Sequence, residues 1–122
     1  MTNRYRIALI ALTFAAGAWS SGAAHADAAT DAAMEPVWKH YWAAVAAAQQ
    51  CENRKFSTPE FDAMTHYING KVNNAIGAGQ RTHLIDDAKS DVWDRSFKYG
   101  CKDQQIDELL AVYHNELEPT FR

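Results

Sequence analysis

An all-α fold, a compact four-helix up-down bundle with one disulfide, is what this sequence predicts, and three observations predict it. Apolar residues recur at three- and four-residue steps through four segments, while no useful run alternates apolar and polar residues as a half-buried strand does. The connections between the segments hold three to six residues, which favours antiparallel neighbours. Two cysteines, Cys51 and Cys101, supply one staple.

Residues 1–26 read as an address label. Arg4 and Arg6 precede an apolar stretch from Ile7 to Trp19, and Ala24-His25-Ala26 offers the small residues of a cleavage site. The stretch falls short of the roughly 20 residues that a membrane-crossing helix needs, so the sequence predicts a cleaved signal peptide and no stable membrane anchor after cleavage. Residues 27–34 begin DAATDAA, small and unpatterned, and are expected to form a disordered tail before a helical domain at 35–122.

The first helix opens with Pro36 and carries Trp38, Tyr41, Trp42, Val45, Ala48 and Cys51 at helical spacing through the alanine-rich run 43–48. Ser57-Thr58-Pro59-Glu60 is the strongest local signal, because either Ser57 with Glu60 or Thr58 with Pro59 can start a helix. Phe61, Met64, Ile68, Val72 and Ile76 then form a stripe that Gly77-Ala78-Gly79 should stop, and Gly70 reads as a place of close helix approach. The third helix should begin between Gln80 and Thr82, turn Leu84, Ile85, Ala88, Val92 and Phe97 inward, and end at Gly100. Asp103 is a natural cap for a fourth helix whose stripe is Ile106, Leu109, Leu110, Tyr113 and Leu117, closed by Pro119.

Export favours oxidation of Cys51 and Cys101, and closing a loop of about 50 residues removes roughly 4 kcal/mol of unfolded-chain entropy. In an up-down bundle the end of the first helix and the link between the third and fourth lie at the same end, so staple and topology agree. The cysteines lack the CxxC spacing of a redox or metal pair.

Charge excludes one class of partner. The whole chain has a formal charge of −3, and residues 27–122 hold ten Lys plus Arg against fifteen Asp plus Glu. Such a surface repels phosphates, so nucleic acid is not an expected partner. His66, His83 and His114 each have a carboxylate one turn away, Asp62, Asp86 or Asp87, and Glu118, but acids are common enough for such pairs to arise by chance. With no HxxxH or CxxC nucleus, no metal site or cofactor is expected. No nucleophile stands beside a base in a recognisable turn, so no catalytic residue is assigned.

Trp38, Tyr41 and Trp42 exceed what one core-facing stripe usually requires. They pack either inside, against Trp93 and Phe97 of the third helix, or outside, as an exposed aromatic anchor for a protein partner. On the second reading they are the candidate binding residues, and the function expected is a non-enzymatic periplasmic protein that binds another protein, as an inhibitor, immunity factor or accessory subunit. The acidic string Asp86, Asp87, Asp91 and Asp94 is either a solvated face or a docking surface for a basic partner. The Cys51 to Cys101 spacing is similar to that of small periplasmic acid-stress chaperones, which implies suppression of aggregation at low pH. Tyr67-Ile68-Asn69-Gly70 and Gln104 to Tyr113 resemble periplasmic immunity proteins that block a secreted toxin. A metal carrier or small enzyme is the remaining alternative.

Overall fold

The computed structural model describes residues 30–122, which form four helices and no strand. The segment read as a signal peptide and residues 27–29 of the expected tail lie outside the described residues. The helices are α1 (Glu35–Cys51), α2 (Thr58–Lys71), α3 (Ala78–Tyr99) and α4 (Gln104–Val112). After α4 the chain continues through a widened turn, Tyr113–Leu117, and a tight one, Glu118–Thr120.

Helix α1 is the hub. Residues 44–48 are five consecutive buried positions, Ala44, Val45, Ala46, Ala47 and Ala48, so this stretch has no solvent face. A helix apolar all round must be surrounded, and its small side chains let neighbours approach closely. It packs most extensively on α3, next on α4, and also on α2, whereas α2 and α3 scarcely touch each other. Directions follow from the pairings. The Trp38 indole Nε1 donates to the Arg81 carbonyl at 3.3 Å near the start of α3, and Cys51 bonds Cys101 beyond the end of α3, so α1 and α3 run the same way.

The disulfide forms as expected, with Cα atoms 5.6 Å apart. Beside it, Arg95 near the end of α3 grips Asp103 through Nε at 2.6 Å and Nη2 at 3.2 Å. The same carboxylate caps α4 by accepting from the Gln105 and Ile106 backbone N–H groups. One corner therefore joins three helices covalently and through charge-assisted hydrogen bonds.

Several boundaries differ from the sequence expectations. The tail is ordered from Thr30: its hydroxyl oxygen accepts from the Gly77 N–H at 2.8 Å, and the Asp31 N–H donates to the Ala75 carbonyl at 2.9 Å. Helix α2 stops at Lys71, short of the glycines, because Asn73 and Asn74 take left-handed backbone with φ of 55° and 54°. The Asn74 N–H reaches the Asn69 carbonyl and the Asn73 N–H reaches that of Gly70, a paired closure that ends helices. Val72 and Ile76 still enter the core, from the connection rather than from the helix. Helix α3 begins at Ala78, earlier than expected. Gly70 marks no close approach, since a side chain there would meet open space. At the start of α2, Ser57 is the cap: its Oγ accepts from the Glu60 N–H, and the Glu60 carboxylate accepts from the Ser57 N–H.

Reduction of the disulfide, or paired Cys51→Ala and Cys101→Ala replacement, should lower the unfolding free energy by about 4 kcal/mol. Urea unfolding with and without reductant measures it. A loss under about 1 kcal/mol would mean that non-covalent packing alone holds the corner.

Candidate functional site

The three aromatic residues offered as a binding anchor are core residues. Trp38 is 1 % exposed, Trp42 4 % and Tyr41 9 %, so none of them presents a surface to a protein partner. Neither do they pack on Trp93 and Phe97. Each faces a different neighbour, which the encirclement of α1 allows. Trp42 stacks on Phe61 of α2 at 6.2 Å between ring centroids, Trp38 lies beneath Arg81 of α3, and Tyr41 turns towards the C-terminal segment. The Trp42 indole Nε1 is buried without a hydrogen-bond partner among the described residues.

Because α2 and α3 flank α1 without meeting, a groove opens between them. Its floor is Trp38, Trp42, Val45, Phe61 and Ile85, its rim is Gln49, Thr65, Arg81 and Lys89, and it offers about 260 Å³ of space that is open to solvent along the rim. No acidic residue lines it. Arg81 is held by its Nε, which donates to the Ile76 carbonyl at 3.0 Å, and by its guanidinium resting 5.9 Å from the Trp38 ring centroid.

The exposed aromatics lie on α3. Phe97 is 86 % exposed and Trp93 56 %, four residues apart and hence on one face of the helix. The inward turn expected of Phe97 is thereby overturned. Trp93 also walls a shallow hollow of about 370 Å³ over Ala46, Gln50 and Val92 of α1 and α3. Tyr99, 56 % exposed, points elsewhere and is covered by cations, with the Arg95 guanidinium 4.8 Å and the Lys98 ammonium 5.5 Å from its ring centroid. Of the acidic string, Asp91 is paired with Lys39 at 3.0 Å and Asp87 lies 3.6 Å from His83, leaving Asp86 and Asp94 without an ion-pair partner among the described residues.

A third cluster seats the C-terminal segment. The Glu116 carboxylate accepts from the Tyr41 and Tyr67 hydroxyls, each at 2.7 Å, and these bonds hold it below the usual carboxylate range. Burial, reinforced by that carboxylate, pushes both phenols up. Glu118, 5 % exposed, meets the Arg54 guanidinium at 2.7 Å, His114 Nδ1 at 3.1 Å and Arg122 at 3.1 Å. The His114 contact, with Arg122 and Arg54 nearby, depresses its pKa, while Glu52 and Glu118 together raise that of His114. The Glu118 pairing was readable from the four-residue step to His114. Glu52, 2.9 Å from the other ring nitrogen, was not, since 62 positions separate it from His114. Among the described residues no group of three or more His, Cys, Asp or Glu side chains is placed to hold a metal ion.

No family model matches this chain, and no curated protein or solved structure does either. A functional reading therefore rests on the chain's own geometry.

The C-terminal cluster dictates a pH dependence. Glu116 and Glu118 are depressed below an ordinary value of 4.5, so the stability they supply is complete above that pH and is lost as pH falls through their folded values. His114 has the opposite sign: raised above 6.5, it contributes fully below that pH and loses the contribution as pH rises through its folded value. Glu118→Gln should cost about 1–3 kcal/mol near pH 6, since it removes a buried charged acceptor from three donors, and should flatten the acid slope. Denaturation across pH 2–8 tests this, and a slope identical to that of the wild type would remove Glu118 from the account.

Proposed function

We propose that this chain is a non-enzymatic, protein-binding domain of an exported, periplasmic protein, and that the binding face is the Trp93–Phe97 edge of α3. One observation carries the reading: two large aromatic side chains stand exposed on one helix face, while the other tryptophans among the described residues, Trp38 and Trp42, are buried. Exposed Trp and Phe pairs are unusual on surfaces that stay solvated, and Trp is enriched where binding energy concentrates. Asp86 lies on the same face and Asp94 beside it, so the partner fitting this edge offers an apolar pocket ringed by Lys or Arg. The disulfide fits an oxidising compartment, and no helix among the described residues is long and apolar enough to cross a membrane. An inhibitor, immunity factor or accessory subunit would each use such an edge.

Trp93→Ala with Phe97→Ala should leave stability within about 0.5 kcal/mol of the wild type, as ordinary surface changes do. The pair should abolish capture of the partner cross-linked by the wild type in a periplasmic extract. Capture of the same partner by the double variant, or of none by the wild type, would sink the reading.

A second reading, an acid-stress chaperone, is favoured by the C-terminal seat, where Glu116 and Glu118 hold core-facing tyrosines and an arginine that acid would release. Light scattering of an aggregating client at about pH 2–4 should then be suppressed by the protein. An unchanged scattering curve removes this reading.

A further inference from the structure

We propose that the groove between α2 and α3 is a binding site for a medium-chain carboxylate, with the acyl chain on the aromatic floor and the carboxylate at Arg81 and Lys89. This site adjoins the proposed protein-binding edge, since Lys89 and Gln49 line both the groove and the hollow beside Trp93, but it is defined by the groove's own lining.

The chemistry of the lining selects the ligand. The half-buried Phe61 and Ile85, lying over the buried Trp38, Trp42 and Val45, offer an acyl chain apolar contact but almost no hydrogen bonds. Both ionisable residues at the rim are cations, and neither Arg81 nor Lys89 forms an ion pair among the described residues. Elsewhere Lys39, Arg54, Lys71, Arg95 and Arg122 pair with carboxylates, while Lys55, Lys98 and Lys102 do not, so it is the acid-free apolar lining beside them that sets Arg81 and Lys89 apart. In a chain with more acids than bases, an acid-free groove with two unpaired cations at its mouth is complementary to an apolar anion.

Arg81 is preorganised for the role. Its Nε is anchored on the Ile76 carbonyl and its plane rests against Trp38, while its Nη groups make no hydrogen bond among the described residues. A guanidinium fixed in this way meets a carboxylate without first being ordered. Size sets the chain length. About 260 Å³ takes roughly nine groups of water size at about 30 Å³ each, and a methylene is of similar bulk. That corresponds to an acyl chain of about eight to ten carbons.

Titration calorimetry of the full disulfide-bonded domain with decanoate, below its micellar concentration, should give one site per chain. In two-dimensional NMR, the indole signals of Trp38 and Trp42 should move further than that of Trp93, which stands one turn beyond Lys89. Lys89→Gln, at an exposed position that leaves the fold intact, should weaken decanoate at least fivefold, and Arg81→Gln more strongly. Decyltrimethylammonium, of equal chain length and opposite charge, should bind at least tenfold more weakly than decanoate. Absence of saturable decanoate binding, equal affinity for the cationic amphiphile, or shifts confined to Trp93 would each overturn the proposal. An unchanged decanoate affinity in Lys89→Gln and in a natively melting Arg81→Gln would do the same.

Discussion

A helix with no exposed face through its middle turns organises this domain. From Ala44 to Ala48 every side chain of α1 is buried, and four of the five are methyl groups. Small residues let several helices lie close to one axis, and apolar surface on all sides requires that they do. The arrangement follows from that demand. Helix α3 covers one flank along its length, α4 crosses another, and α2 closes over Trp42 and Tyr41 through Phe61 and Tyr67. The disulfide then fixes the C-terminal end of α1 to the α3–α4 link, where Arg95 and Asp103 already hold the turn.

The end of the chain is seated differently, by polar groups brought inside. After Val112 the backbone widens, the Glu118 N–H reaching back to the Tyr113 carbonyl, and this brings Tyr113 and Leu117 into the core with Glu118 buried beside them. Buried acids persist only where donors meet them. Here Arg54, His114 and Arg122 meet the buried Glu118, and Tyr41 and Tyr67 meet the half-buried Glu116, so residues from α1, α2 and the α1–α2 link all converge on the last turns. The fold is thus tied at one corner by the disulfide together with Arg95–Asp103 and at another by Glu116 and Glu118, and acid loosens the carboxylate contacts at both while leaving the covalent tie in place.

The helical architecture, the capping box at Ser57, the Asp103 cap and the disulfide were legible because each depends on residues close in sequence or on a single possible pairing. Placement around the hub was less so. Trp38, Tyr41 and Trp42 do point in different directions, as their spacing requires, but exposure follows from that only where α1 has a solvent side, and the alanine-rich run is the sign that its middle turns have none. For Phe97 the arithmetic was available. It follows Val92 by five residues, which on an α-helix is roughly 140° around the axis, so it leaves the stripe of Leu84, Ala88 and Val92. Helix α2 ends before the glycines because Asn73 and Asn74, asparagines that also accept left-handed backbone, come first in the chain. The Tyr41–Glu116 and His114–Glu52 contacts join residues 75 and 62 positions apart, and no local pattern encodes them.

The same hub accounts for where binding surfaces can exist at all. Two helices that both need the flank of a narrow, alanine-lined α1 cannot also meet each other along their length, and the wedge between α2 and α3 is what remains. Bulky side chains at Trp38, Trp42 and Phe61 fill its depth but leave its mouth open, with Arg81 and Lys89 as its charged lip. Further along α3 the apolar stripe of Leu84, Ala88 and Val92 already covers α1, so Trp93 and Phe97, which follow Lys89 at four-residue steps, stand largely exposed. A groove and an aromatic edge that adjoin along one helix are therefore consequences of a single packing decision: the central position belongs to the helix with the smallest side chains, and the large apolar ones are displaced to its periphery.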